Sequence, residues 1–161
     1  MSNVPAMVLN GGAHIPQLGF GVFQIEPDKT AAAVKAALDI GYRHIDTAEM
    51  YGNEQGVGQG VVEAGLDRAS VFITSKLNNG LHRPDDARRA LDRTLSALSS
   101  DYVDLFLIHW PLPTLYDGDL SRPGVFSKSS PQTDAPAASA YRTSNRHTLT
   151  DSQRNPSRYP L

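Results

Sequence analysis

The chain has 161 residues, 40% of them hydrophobic and 20% charged, with a formal net charge of −2 at pH 7. That is enough apolar chain for one domain with a core; it excludes a collagen-like or wholly disordered polypeptide, and no bulk positive charge points to nucleic acid. Cysteine is absent, which removes disulfides, thiolate metal sites and cysteine nucleophiles. No apolar run approaches the ~18 residues of a membrane helix, and Met1 to Leu9 lacks the pattern of a signal peptide. A cytoplasmic protein with no membrane or nucleic-acid partner is therefore expected.

A short hairpin is predicted near Met7–Gln17, followed by a strand over Leu18–Phe23. Pro27 and Asp28 open a helix that carries Ala31, Val34 and Leu38 on one side and stops at Gly41. Tyr42–Ala48 reads as the next strand. A second helix runs from about Glu54, with Val57, Val61 and Ala64 in register and Gly65 at its end. Val71–Leu77 is a β-rich run bounded by the turn signal Asn78-Asn79-Gly80. Pro84 suits the first turn of a third helix, in which Ala87, Leu91, Thr94 and Leu98 recur at helical spacing. Tyr102–Trp110 is nearly all apolar, as expected of a strand covered on both faces. Four strands joined by three helices imply a parallel α/β sheet, either open and doubly wound or part of a (β/α)8 barrel. Periodicity does not choose between the two.

Three polar residues close three successive strands: Asp46, Lys76 and His109, spaced 30 and 33 residues apart. Equivalent ends of parallel strands lie side by side at the carboxyl edge, where α/β active sites are built. Tyr51 falls in the loop on that edge. Taken singly, Asp46 could cap a turn, Tyr51 could pack at the rim, and Lys76 or His109 could end a strand in solvent. Together they suit protonation of a carbonyl oxygen. A tyrosine of pKa ~10 is a poor acid at neutral pH, but an ammonium beside its oxygen favours the phenolate. An aspartate would orient the lysine, and a neutral histidine could donate to the substrate oxygen. No side chain donates hydride, so a nicotinamide cofactor is implied. Gly19-Phe20-Gly21 lacks the third glycine of a dinucleotide fingerprint. His14, His44 and His82 show no ligand spacing, so no metal is expected.

At these residues the sequence resembles the aldo-keto reductases, through IPQLGFGVFQ, GYRHIDTAEMYGNEQGVG, VFITSKL and VDLFLIHWP, over roughly residues 8–113. Within that family it is similar to bacterial 2,5-diketo-gluconate reductases and prostaglandin F synthase-like members. The resemblance implies a (β/α)8 barrel, NADP(H) as cofactor and a small-molecule carbonyl as substrate. It implies that Asp46, Tyr51, Lys76 and His109 form the catalytic tetrad, with Tyr51 as proton donor. It further implies that Gly21, Val22 and Phe23, with Asp46, lie near the nicotinamide, and that Trp110 lines the substrate pocket with Tyr51 and His109. Asn78 departs from the family, many members of which place tryptophan there.

Family barrels run on the order of 250 residues or more, whereas the resemblance here fades near Asp119. Residues 1–120 carry nine basic and fifteen acidic residues, a net of 9 − 15 = −6, and residues 121–161 carry six and two, a net of 6 − 2 = +4. Ser, Thr and Pro make up seventeen of those last 41 residues, too few apolar groups to offset their ordering entropy. Residues 121–161 are therefore expected to be disordered. The resemblance implies a strand of sequence ARSIGVSNF in this region, and codons compatible with Ala135–Ser144 regroup, one frame away, to encode it. The expectation is a frameshift near Leu120, leaving residues 1–120 as the N-terminal half of a barrel. Such a half-barrel has two open sheet edges and an apolar face, so self-association and loss of activity are expected, or binding to a protein partner.

Overall fold

In the computed structural model, residues 4–116 are described; the tail at 121–161 and the expectation of disorder there lie outside the described residues. A two-stranded antiparallel hairpin comes first, β1 (Ala6–Val8) and β2 (His14–Pro16). A parallel sheet follows in the order β3 (Phe20–Gly21), β4 (His44–Asp46), β5 (Phe72–Leu77) and β6 (Leu105–Ile108). Helices α1 (Pro27–Asp39), α2 (Glu54–Glu63) and α3 (Pro84–Ala97) make the three crossovers. Short 3-10 turns at Glu49–Tyr51, Arg68–Ser70 and Pro113–Leu115 complete the path.

The helices form where caps and periodicity direct them. Pro27 and Pro84 occupy first turns, where a missing N–H costs nothing. Gly41 and Gly65 follow α1 and α2 with φ of +112° and +65°, a conformation that side-chain-bearing residues resist. Side chains alternate across the sheet. Val22, Ile45 and Ile73 meet Val34, Leu38, Val57, Leu91 and Leu95 of the helices in one core. The spacing read in α3 is the buried stripe: Ala87, Leu91, Thr94 and Leu98 are all inside. Helices α1 and α2 approach closely because α2 presents glycine there. A Cβ on Gly60 would fall 2.6 Å from the Ala31 carbonyl oxygen. Arg68 fastens the floor of the sheet, donating to the Val71 and Tyr102 carbonyls and to the Asp104 carboxylate, which also accepts from Ile73 N–H.

Three expectations need correction. The strand placed at Leu18–Phe23 pairs only over Phe20–Gly21, because the chain turns at Val22–Ile25 and leaves the sheet. The final strand spans Leu105–Ile108 rather than Tyr102–Trp110, and it is not covered on both faces. Leu107 and Ile108 are 39% and 37% exposed and Trp110 is 61% exposed; among the described residues β6 has a paired neighbour on one side only, and no helix follows it, only the 3-10 turn Pro113–Leu115. The sheet face opposite the helices is not uniformly apolar. By alternation it carries His44, Asp46, Thr74 and Lys76 among Phe72, Leu105 and Leu107, with His44 Nε2 3.0 Å from the Thr74 hydroxyl. Among the described residues no helix is long and apolar enough to cross a membrane.

Candidate active site

The carboxyl edge of the sheet gathers the polar residues that the spacing singled out. Asp46 ends β4, Lys76 is the penultimate residue of β5, and His109 follows β6. The parallel register sets Asp46 opposite Thr74, one pleat below Lys76, so the two side chains project from the same face. Tyr51 closes the 3-10 turn just beyond β4.

Lys76 is the hub. Its Nζ donates to Asp46 Oδ1 at 2.6 Å, to the Thr47 carbonyl at 3.0 Å and to Tyr51 Oη at 3.2 Å. An ammonium has three donors, and these three acceptors match them. The tyrosine oxygen thus accepts from Lys76, leaving its own O–H free to donate elsewhere. The Lys76 side chain is 15% exposed and that of Asp46 35%, so this ion pair is partly sheltered from water.

His109 completes the group. Its ring stands edge-on to Tyr51, with centroids 5.6 Å apart and planes at 80°. Burial lowers its pKa below the ordinary value, the Lys76 ammonium lowers it further, and Asp46 opposes both. The imidazole is therefore neutral at neutral pH and able to donate a hydrogen bond without carrying charge. Nδ1 is buried with no hydrogen-bond partner among the described residues. The backbone N–H of His109 donates to the Leu77 carbonyl at 3.2 Å, tying it to the end of β5.

The other anticipated residues divide. Phe23 is 63% exposed, with its ring 5.0 Å from that of Tyr51. Gly21 pairs with Asp46, and a Cβ placed on it would meet nothing within 4 Å, so the sheet edge is open there. Trp110 is exposed beside His109. Val22, in contrast, is fully buried in the core, and its N–H is used by the Asp46 carbonyl at 3.1 Å. Its side chain is turned away from the opening. His14 and His82 stand apart from the site, and no cluster able to hold a metal occurs among the described residues.

Two residues beneath the site were not singled out from the sequence. Glu54 opens α2, is 6% exposed, and accepts from the Ser75 hydroxyl at 2.6 Å and the Thr94 hydroxyl at 3.2 Å. Burial raises its pKa, and those two hydroxyls oppose the rise. Asn53, 1% exposed, sends its amide back to the turn after β3. Both follow Tyr51 within three residues, and their burial despite polarity is the signal that only packing reveals.

The arrangement, an acid-braced lysine touching a phenol beside a neutral imidazole, suits proton donation to an oxygen. Comparison with known proteins finds relatives that are reductases. A D/L-glyceraldehyde reductase of Hypocrea jecorina is 47% identical over 125 residues, covering 74% of this chain and 38% of that protein. The crystal structure of an aldo/keto reductase from Brucella melitensis superposes with a TM-score of 0.69 at 50% identity, over 72% of this chain and 45% of that one. A Bombyx mori aldo-keto reductase in complex with NADP gives a TM-score of 0.65 at 39% identity, over 69% and 39%. The chain thus spans roughly two-fifths of the relatives it matches, and its four parallel strands correspond to part of their (β/α)8 barrels. The profile of the aldo/keto reductase family matches residues 9–139, and the chain belongs to that family.

Proposed function

We propose that this site reduces aldehydes or ketones to alcohols, using NADP(H), with Tyr51 as the proton donor. The observation that carries the reading is the three-way contact of Lys76 Nζ with Asp46, Thr47 and Tyr51. When bound, the nicotinamide would supply hydride to the carbonyl carbon. The open edge beside Gly21 and Asp46, flanked by the exposed Phe23 ring, is where these residues would hold it. Tyr51 hands its O–H proton to the carbonyl oxygen, and the Lys76 ammonium at 3.2 Å stabilises the phenolate left behind. Asp46 keeps that ammonium in place. Neutral His109 donates to the same oxygen as negative charge develops on it, and Trp110 faces the substrate beside it.

The polypeptide of 161 residues is, in this proposal, inactive when alone, and its setting is cytoplasmic. The described strands supply half of what the relatives' barrels use, and a reading frame shifted near residue 120 accounts for the change of composition there, although the family match runs on to residue 139. Gene sequencing across that junction tests the shift; an unshifted frame ends it. A rival reading is a non-enzymatic half-barrel that self-associates or docks a protein through β6, favoured by the exposure of Leu107 and Ile108. Fluorescence titration with NADPH and an aldehyde assay test the inactivity. No saturable binding is expected from the isolated chain, and turnover would overturn that part. The Tyr51 assignment is tested by joining residues 1–116 to the remaining strands of the Brucella relative. Tyr51→Phe should then lower kcat by roughly a thousandfold or more, at the level of removing a general acid; unchanged turnover would reject it as donor.

A further inference from the structure

Asparagine is among the preferred helix N-caps, and Asn53 occupies the N-cap position of α2. Yet its side chain makes no bond to that helix. Nδ2 donates instead to the Val22 carbonyl at 2.9 Å and the Ile25 carbonyl at 3.0 Å, while Oδ1 accepts from the Thr47 hydroxyl at 3.4 Å. Those partners settle the orientation of the amide, since two carbonyls demand donors.

The segment it grips is a tight turn. Ile25 N–H closes on the Val22 carbonyl at 3.1 Å, and between them Gln24 has φ of +63°. Non-glycine residues seldom adopt that region, and they persist there when neighbouring structure over-determines it. Phe23 is presented by the same turn, with its ring against Tyr51. One buried amide therefore holds both ends of a strained turn, two residues after the tyrosine on which that turn rests its phenyl ring.

We infer that Asn53 is a positioning residue: by holding the Val22–Ile25 turn in its left-handed form it keeps Phe23 against Tyr51 and so fixes the direction of the phenol. The catalytic consequence rests on Tyr51 being the proton donor, but the geometry can be read without turnover.

The experiment is NMR on the 161-residue chain with labelled aromatic rings, following nuclear Overhauser contacts between Phe23 and Tyr51. The Phe20–Tyr42 pair, with centroids 5.7 Å apart, serves as the control for the fold. In Asn53→Ala the Phe23–Tyr51 contact should fall severalfold while the control persists. Adding Gln24→Gly should restore it, because glycine accepts positive φ without help. A contact that survives Asn53→Ala overturns the inference; failure of Gln24→Gly to restore it does so too, reducing Asn53 to general packing. Should Asn53→Ala lose the control contact as well, Gln24→Val decides. This exposed substitution deepens the strain and should weaken the Phe23–Tyr51 contact with the fold intact, and no weakening counts against the inference. Turnover that survives Tyr51→Phe would remove the donor assignment and leave these contacts unchanged, so the two failures are distinguishable.

Discussion

Strands β5 and β6 are neighbours in one sheet and each delivers a residue to the same site, yet they are built differently. Strand β5 is paired on both sides, and every residue but Lys76 is buried. Strand β6 is paired on one side among the described residues, and only Leu105 is buried. Lys76 consequently enters the site from a strand held by the core, and its ammonium is fixed by three acceptors. His109 enters from a strand paired on one side, and among the described residues it is held by one backbone hydrogen bond and an edge-on ring contact. Asp46, Lys76 and Tyr51 are therefore joined by hydrogen bonds through Lys76, while His109 meets Tyr51 by ring contact alone among the described residues.

Truncating one residue in each strand should expose this difference most strongly. Ile73 is 1% exposed in β5, so Ile73→Ala should cost about 2–5 kcal/mol, read by urea unfolding. Ile108 is 37% exposed in β6, and Ile108→Ala should cost less, about 1–1.5 kcal/mol. Equal losses would mean that β6 is as deeply embedded as β5, and the contrast would disappear.

A subtler probe lies beneath β5. Glu54→Leu strips the Ser75 and Thr94 hydroxyls of their acceptor and should cost about 1–3 kcal/mol. Glu54→Gln keeps an acceptor and removes the charge. Because burial raises the Glu54 pKa, stability from its neutral form is present below the ordinary value of 4.5 and is lost as pH rises through the raised value. Glu54→Gln should accordingly gain on the wild type as pH climbs from 4.5 toward 7. A gain that instead grew on acidification would show that the carboxylate is held in its charged form.

Acidification tests the buried histidines. His44, His82 and His109 all have pKa values lowered by burial, so the folded state prefers them neutral. Their contribution is intact above the unfolded value of 6.5 and is lost as pH falls through the lowered folded values. His82 sits stacked on Tyr116 with centroids 4.6 Å apart. His82→Phe should flatten the loss of stability below pH 6.5; an unchanged slope would place the effect at the other two histidines.

The smallest effect belongs to the exposed Lys35–Asp39 pair on α1, at 2.6 Å. Asp39→Ala should change stability by under ~0.5 kcal/mol and serves as the baseline for the others. A larger loss would mean that this exposed pair is not a neutral baseline.

Much of the site was legible before folding was considered. Asp46, Lys76 and His109 stand 30 and 33 residues apart because each strand–helix unit is that long, so equal spacing becomes adjacency along one sheet edge. Asn53 and Glu54 were legible only as an ordinary helix start. Their partners, Val22, Ile25, Ser75 and Thr94, lie 21 to 40 residues away with no shared period. The exposure of β6 was likewise hidden, since a run of apolar residues reads the same whether or not a second layer covers it.

Sequence alone determined the alternation of strand and helix, the stripe of α3 and the identity of the polar strand ends, because each is written in local periodicity. Tertiary structure decided that Lys76 has three acceptors, that Val22 faces inward while Phe23 lies on Tyr51, and that Asn53 reaches back across the fold in preference to capping its own helix. Those choices turn on which buried polar atoms find partners, and residues distant in the chain become partners only once the sheet has brought them together.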